Sequence, residues 1–233
     1  MYKRAGNSWN WYINDERLIS LIAENPQQLM KNSTLVKQDE GQTTVFCRDG
    51  FFFKWYNYPY KNLLRKIRYV CCSRAEREYR AVCLCQEYGF PVSPPAGYGV
   101  CGTQSILVTG ELAGYVTVGE LFRKNAGNLD EQFLLKYSDF GSRCIDSGLF
   151  FPDFHCDNIM YSGEKKAFAL IDMYGVRRMR GKNRRKQFRM LMAQISGIGK
   201  FLPADKFFYM LRESGICRKS NCFFQHVNLY CPR

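Results

Sequence analysis

The residues best suited to chemistry lie between positions 150 and 175. Asp153 is followed five residues later by Asn158, and Asp172 follows an apolar run, three residues before Gly175. Transfer of a phosphoryl group from a nucleotide uses three polar groups of these types. One carboxylate accepts or orients the proton of the acceptor hydroxyl, and an amide and a second carboxylate hold magnesium on the phosphates. The pattern is therefore compatible with phosphoryl transfer.

A simpler interpretation of the same residues has to be weighed. Asp and Asn are common in turns, and a hairpin of two apolar strands with polar ends has a similar pattern. The segment D-x-x-x-x-N is short, so chance matches are frequent. Its combination with an apolar strand that ends in D-x-x-G favours the catalytic interpretation. Other elements of the chain then have to position these groups.

Three strands are predicted before position 57, over 34–37, 43–47 and 51–56. Arg48, Asp49 and Gly50 form a D-G turn between the second and third. Lys54 lies inside the apolar third strand, where burying an ammonium is costly unless it is paired. Lys54 either points to solvent from an edge strand or reaches nucleotide phosphates and pairs with a carboxylate.

A helix is predicted over 73–89, and it offers that carboxylate. Ser73 is its cap, Glu76 completes a capping box, and Gly89 ends it. Periodicity alone does not separate Glu76 from Glu78. Because Glu76 is explained as part of the cap, we expect Glu78 to be the partner of Lys54. A solvated charged helix face is the alternative for both.

A hinge between two lobes is expected after the proline-rich connector 90–99. A strand is predicted over 105–109, and a flexible crossing begins at Gly110 and Glu111. Backbone groups there would be free to bond an adenine edge, so Glu111 is a predicted nucleotide contact. Helices are predicted over 118–122 and 132–144 in the second lobe. Upstream, residues 1–32 are expected to pack on the first lobe, with a short helix around 15–22 and aromatic residues in the core.

The densest positive charge follows the second acid. It includes Arg177, Arg178, Arg180 and Lys182. These side chains either cover a solvated turn or meet an anionic acceptor and acidic lipid headgroups. The net charge of +13 agrees with an anionic partner, which could be nucleic acid, an acidic membrane face or a phosphorylated substrate.

Composition narrows the class of protein. The hydrophobic content of 46% and the aromatic content of 15% are higher than in disordered chains. The length of 233 residues is sufficient for a two-lobed domain with a core. The 11 cysteines lack a C-x-x-C motif, and only two histidines accompany them, so reduced and mostly buried thiols are expected rather than a zinc site. The sequence has neither an apolar run that would cross a bilayer nor a secretory signal, so we expect a cytoplasmic protein.

The lysine, the helix glutamate, the hinge and the two loops occur in the order found in the protein-kinase-like superfamily, which the chain resembles over about residues 33–200. More narrowly, it is similar to the lipopolysaccharide core kinases of Gram-negative bacteria, which phosphorylate heptose or Kdo sugars. That likeness lies in Arg77-Glu78, in the G-x-P-x-x-P segment 89–94 and in the I-D-M-x-x-V-R segment 171–177. The segment 153–158 is also similar to aminoglycoside and choline kinases.

The resemblance implies a role for each residue. Asp153 takes the position of the catalytic base, and Asn158 and Asp172 take the magnesium positions. Lys54 and Glu78 take the positions of the pair that anchors the phosphates. ATP and Mg²⁺ are the implied cofactors, and an anionic sugar or glycolipid at the acidic inner membrane face is the implied acceptor. Lys54, Asp153, Asn158 and Asp172 would then have to converge on one cleft.

The implied fold is α+β and two-lobed: a small antiparallel sheet with one main helix, then a shortened helical lobe. Its expected parts are an N-terminal extension at 1–32, an N-lobe at 33–110 and a C-lobe at 111–233. Several features depart from the family. Gly41 is the one glycine in the segment 39–44, Phe151-Pro152 replaces His-Arg, and no A-P-E segment follows. These departures favour a small sugar or lipid kinase over a kinase of folded proteins.

Two further functions compete with a glycolipid kinase. The thin glycine loop suggests a pseudokinase that binds nucleotide without transferring phosphate, and a small-molecule or protein kinase of the same fold is the alternative within the resemblance. A basic nucleic-acid binder would explain the charge, but the sequence contains no recognised nucleic-acid module, so no nucleic acid is expected as partner.

Overall fold

The structure is a computed structural model that describes residues 2–6, 8–39, 43–57, 72–125 and 129–179. It is an α+β protein, as the sequence predicts, and its main sheet is antiparallel. The chain divides into two compact units, Met1–Ala113 with Leu170–Val176, and Gly114–Ala169 with Arg177–Arg233. None of the helices in the described ranges is long and apolar enough to cross a membrane.

In the described part of the first unit, seven strands form one sheet in the order β1-β2-β6-β7-β5-β4-β3. The helices of this unit are α1, α2 and α3. The bounds of the elements are β1 Tyr2–Gly6, β2 Trp9–Ile13, α1 Leu18–Leu21, α2 Pro26–Lys31, β3 Thr34–Asp39, β4 Thr43–Arg48, β5 Phe51–Tyr56, α3 Arg74–Glu87, β6 Pro95–Cys101 and β7 Gln104–Gly110.

Local sequence signals account for the centre of this unit. The D-G turn joins β4 to β5 with positive φ at Asp49 (50°) and Gly50 (75°), the backbone that a tight hairpin requires. Ser73 caps α3 by accepting a hydrogen bond from the Glu76 N–H at 3.1 Å. Gly89, at φ 72°, follows the helix. The predicted strands and helix lie within two residues of these elements.

Three strands of the sheet, β1, β2 and β6, were not predicted from the sequence. Residues 1–32 supply β1 and β2, and α1 and α2 pack in the apolar core on one face with Trp9 and Trp11, whose predicted core position is confirmed. The connector 90–99 was expected to lack a strand, but β6 begins at Pro95. Gly99 pairs with Trp11, and a Cβ at Gly99 would lie 2.7 Å from the Trp11 ring. Glycine therefore lets the indole lie flat on the strand.

The described part of the second unit is built around an aromatic core. Its elements are β8 Val116–Thr117, α4 Val118–Lys124, α5 Glu131–Asp146, β9 Leu149–Phe150, a 3-10 turn at Cys156–Asn158, β10 Ile159–Ser162, β11 Ala167–Leu170 and β12 Arg177–Arg178. Phe133 of α5 packs edge-on against Phe122 of α4 and near Phe168 of β11. Both helices confirm the sequence prediction, with slightly wider bounds.

The described cysteines only partly follow the expectation of buried thiols. Cys85 and Cys144 are buried, and the other five described cysteines are half-buried.

Candidate active site

Lys54 lies in the middle of the sheet rather than at an edge. Its strand β5 runs between β4 and β7, and Lys54 pairs with Val45 on one side and Leu107 on the other. Because side chains alternate along a strand, Lys54 and Tyr56 point to the same face. That face carries α3, and only 18% of the Lys54 side chain is exposed. The interpretation of Lys54 as a solvent-facing edge residue is therefore wrong.

The ammonium of Lys54 contacts two carboxylates. Nζ lies 3.2 Å from Oε1 of Glu78 and 2.6 Å from Oδ1 of Asp172. The pair that the sequence analysis expected between Lys54 and Glu78 is therefore present, and Asp172 shares the same cation. The structure brings these three predicted site residues together within the first unit. Their role in binding nucleotide stays a prediction.

Glu78 is held from both of its oxygens. Its side chain is 2% exposed, and Oε2 accepts a hydrogen bond from the hydroxyl of Tyr56. Glu76, the other candidate on α3, pairs instead with Arg80 at 2.5 Å on the helix surface. The expected choice of Glu78 over Glu76 as the partner of Lys54 thus agrees with the contacts, whereas the capping-box role of the Glu76 side chain stays a prediction.

Burial and charge act against each other in this cluster. Burial disfavours the ammonium of Lys54, yet the nearby carboxylates of Glu78 and Asp172 outweigh it and raise its pKa. Burial, together with repulsion from Asp172, raises the pKa of Glu78 even though Lys54 opposes this. Burial beside Glu78 also raises the pKa of Tyr56, which keeps its hydroxyl protonated as a donor. Lys54 is a charged cation held among carboxylates.

Asp172 follows β11 in a tight turn. Its φ of 56° is in the left-handed region, which is uncommon for a residue other than glycine. The Val176 N–H donates to the Met173 carbonyl at 3.1 Å, and Gly175 has φ 82°. About a third of the Asp172 side chain is exposed (36%), so one side of the carboxylate faces solvent. D-M-Y-G is therefore an ordered turn that presents an acid.

Asp153 and Asn158 lie together in the second unit, in the loop between β9 and β10. Nδ2 of the buried Asn158 donates to the Asp153 carbonyl at 3.0 Å, and it lies 3.4 Å from Oδ2 of Asp153. Both contacts use the nitrogen of the amide, whose oxygen takes part in neither. The Asp153 side chain is 64% exposed, with Nε2 of His155 at 3.5 Å from its Oδ1. The loop thus fixes an amide beneath an accessible carboxylate.

A further acid in this loop escaped the sequence analysis. Oδ1 of Asp157 lies 3.0 Å from the Arg123 guanidinium on α4. A Cβ placed on Gly119 would lie 2.0 Å from that same oxygen, so the loop can approach the helix only where the helix has glycine. Asp157 thus anchors the loop to α4. No local pattern in the sequence signals this contact, because it joins residues that are distant along the chain.

The predicted nucleotide contact at Glu111 and the predicted anion-binding residues have fewer supporting contacts than the Lys54 cluster. The Glu111 N–H donates to the Gly50 carbonyl at 2.8 Å, so the expectation that this N–H is free to bond adenine is wrong. The carbonyl and exposed side chain of Glu111 keep its assignment as a nucleotide contact a prediction. Arg177 and Arg178 are exposed on β12, and the Arg177 guanidinium lies 4.7 Å from the Phe150 ring centroid. Arg180, Lys182 and the glycine-loop residue Gly41 lie outside the described residues.

The donor chemistry of the predicted ligands suits magnesium. Mg²⁺ prefers oxygen and takes only one or two carboxylates from protein, completing its shell with water and phosphate. Asp172 has a partly exposed carboxylate, and the Asn158 amide is oriented through its nitrogen. Groups of three or more His, Cys, Asp or Glu residues that could hold a metal by themselves do not occur among the described residues. Asp172 lies in the first unit and Asn158 in the second, so a magnesium site formed by both stays a prediction.

No protein-family model matches the chain, and no curated protein matches it either.

Proposed function

We propose that this protein is a kinase that uses ATP and Mg²⁺ to phosphorylate a sugar hydroxyl of a lipopolysaccharide core or a similar glycolipid. The proposal includes a protein-kinase-like arrangement of the α+β fold. The observation that carries it is the ammonium of Lys54, held inside a seven-stranded sheet by Glu78 and Asp172.

Burying the charges of Lys54, Glu78 and Asp172 has a desolvation cost that a purely structural role does not require. Removing an ammonium and a carboxylate from water costs several kcal/mol for each ion, and their attraction repays this only with good geometry. Clusters of ionisable groups with shifted pKa values are enriched at functional sites. A half-buried cation whose second partner, Asp172, is partly exposed is suited to bind polyphosphate. We therefore favour phosphate anchoring over structural stapling.

The chain's own groups supply the remaining roles. Asp153, exposed at its loop, accepts the proton of the acceptor hydroxyl or orients that hydroxyl. Asn158 and Asp172 would hold magnesium, which neutralises charge on the transferring phosphate. Lys54 orients the phosphates, and Glu78 keeps its ammonium in place. Each group is supported by a contact that limits its motion, which is the main protein contribution to phosphoryl transfer.

The acceptor is argued from charge. Arg177 and Arg178 are exposed on β12, immediately after the D-M-Y-G turn in the chain, and the protein carries a net charge of +13. Arginine binds phosphate and carboxylate groups through a planar set of donors. These residues would hold an anionic glycolipid, with the protein at the cytoplasmic face of the membrane.

A pseudokinase is the second candidate, and one specific observation favours it. Oδ1 of Asp172 already forms a 2.6 Å ion pair with Lys54, so the acid that would bind magnesium is engaged. The sequence between β3 and β4 contains one glycine, Gly41, whereas a loop whose backbone approaches phosphates uses several. A pseudokinase would bind nucleotide without transferring phosphate.

Phosphate transfer to purified core glycolipid separates these functions. Radiolabelled ATP is incubated with acceptor and wild-type protein, Asp153→Ala or Asp139→Ala, the last being a matched control at an exposed acid of α5. We expect transfer by wild type and by the control, and a loss of at least about a hundredfold in Asp153→Ala. Equal transfer by wild type and Asp153→Ala would exclude Asp153 as the base. Nucleotide binding without transfer to any core sugar would favour the pseudokinase.

A further inference from the structure

Arg74 lies between two aromatic rings. Its guanidinium carbon is 4.7 Å from the Tyr56 ring centroid and 4.3 Å from the Tyr174 ring centroid. Tyr56 is fully buried in β5, and Arg74 is the first residue of α3. Guanidinium groups stack favourably on aromatic faces because they are planar and weakly hydrated. Arg74 thus joins a strand to a loop through a helix terminus.

The three stacked residues belong to the elements that carry the Lys54 cluster. Tyr56 uses its hydroxyl for Glu78 and its ring for Arg74. Arg74 and Glu78 are four residues apart, so they share one face of α3. Tyr174 lies two residues after Asp172 in the D-M-Y-G turn. The stack therefore connects the Lys54–Glu78 pair to the turn that presents Asp172.

The stack also contacts the turn in which Asp172 has an uncommon backbone conformation. A left-handed φ of 56° is uncommon outside glycine, although aspartate tolerates it better than most residues, and such conformations persist where surrounding contacts support them. Tyr174, held against Arg74, is one such contact. Without it the turn would be freer to relax, and the carboxylate would move away from the Lys54 ammonium.

We propose that Arg74 is a positioning residue, whose stacking between Tyr56 and Tyr174 holds Asp172 in place to receive magnesium with the nucleotide. The inference rests on the proposed function and extends it to a residue outside the expected catalytic set. Arg74 acts through the turn, by its contacts with the rings of Tyr56 and Tyr174. Its loss therefore weakens magnesium-dependent binding while leaving binding of metal-free nucleotide unchanged.

Calorimetric titration with ATP, once with Mg²⁺ and once with EDTA, tests this. Arg74→Met and Tyr174→Leu should each weaken binding in Mg²⁺ about tenfold, the range expected for a stacked cation, and leave binding in EDTA within about twofold of wild type. Tyr174→Phe keeps the ring and should bind like wild type. The double variant Arg74→Met/Tyr174→Leu should bind no more weakly than Arg74→Met alone, because Arg74→Met already removes the contact between Arg74 and Tyr174.

Arg74→Lys distinguishes stacking from charge. Lysine keeps the charge but loses the planar group, so we expect it to behave like Arg74→Met. Restoration of binding by lysine, or equal losses in Mg²⁺ and EDTA, would show that Arg74 attracts the nucleotide by charge and would overturn the proposal. Wild-type affinity in Tyr174→Leu would overturn it too. Urea unfolding of each variant confirms that it folds.

Failure of the proposed function has a different signature. Wild-type protein that binds ATP in neither buffer would refute the nucleotide assignment and the magnesium effect together. Wild-type protein that binds Mg²⁺ and ATP, with all Arg74 variants equal to it, would refute the positioning role alone.

Discussion

Replacing Lys54 by methionine is expected to break a buried ion pair while keeping most of the side-chain volume. Lys54 is 18% exposed, and its partner Glu78 is 2% exposed. Removing one partner of such a pair leaves an uncompensated buried charge, which costs about 3–5 kcal/mol of unfolding free energy. Methionine retains a long apolar stem, so a cavity adds little. We expect a loss near the lower end of that range at pH 8.

The loss should depend on pH in a defined direction. Without Lys54, only the hydrogen bond from Tyr56 opposes the burial and the Asp172 repulsion that already raise the pKa of Glu78. Above the unfolded value of 4.5, the native variant keeps a proton that the unfolded chain releases. The unfolding free energy of the variant therefore falls as pH rises from 4.5 to the raised pKa of Glu78 in the native variant. The pKa of Lys54 in the wild type is raised above 10.5, so its own contribution is constant between pH 5 and 8.

Urea unfolding followed by tryptophan fluorescence at pH 5 and pH 8 measures both effects. Lys37→Met is the matched control, because Lys37 lies on β3 of the same sheet with its side chain 66% exposed, and it should cost less than about 0.5 kcal/mol. Lys54→Met/Glu78→Gln should regain most of the stability, because the buried carboxylate is gone and an amide oxygen still accepts from Tyr56.

Two outcomes would refute the reasoning. A loss below about 1 kcal/mol for Lys54→Met at pH 8 would mean that Glu78 is not a buried charge that depends on Lys54. An equal loss at pH 5 and pH 8 would mean that Glu78 takes up no proton when Lys54 is absent.

Three further predictions concern contacts of the Lys54 cluster and of the loop that carries Asp153 and Asn158. Tyr56→Phe keeps the ring but removes the donor to Glu78, so the unfolding free energy in urea should fall by about 1–3 kcal/mol; no change would mean that Glu78 does not depend on this hydroxyl. Gly119→Ala forces a Cβ to within 2.0 Å of Asp157 Oδ1, and thermal unfolding should show a loss of about 1–3 kcal/mol that shrinks in an Asp157→Ala background; equal losses in both backgrounds would contradict the clash. Asn158→Ala removes the bond to the Asp153 carbonyl and the proposed magnesium ligand, so the proposed phosphate transfer should fall at least about tenfold; unchanged transfer would exclude Asn158 from the site.

Local signals were sufficient for the centre of the first unit. The D-G turn at Asp49 and Gly50 specifies a hairpin through the backbone conformations that those two residues tolerate. Ser73 and Gly89 specify where α3 begins and ends, because their roles depend on neighbours within a few residues. Alternation along β5 predicts that Tyr56 shares a face with Lys54, although the sequence analysis did not use it.

Pairing between strands that are far apart along the chain has no comparable local signal in the sequence. β2 pairs with β6, and Trp11 lies against Gly99. From the sequence, the first segment was predicted to be an N-terminal extension and the second a proline-rich connector. Each strand is short, and its stability comes from the partner rather than from its own composition. The same reason explains why Arg74 and Tyr174 were not recognised as partners.

The sequence by itself determined which groups the protein can offer: a lysine in an apolar strand, acids on a helix and in two loops, and an amide five residues after one of them. Tertiary structure alone decided that Lys54 meets Glu78, 24 residues away, and Asp172, 118 residues away. Periodicity places Glu76 and Glu78 on one helix without choosing between them, whereas packing buries Glu78 (2% exposed) and leaves Glu76 half-buried beside the exposed Arg80. The choice follows from desolvation, since a buried carboxylate is stable only where the fold supplies a cation and a hydrogen-bond donor.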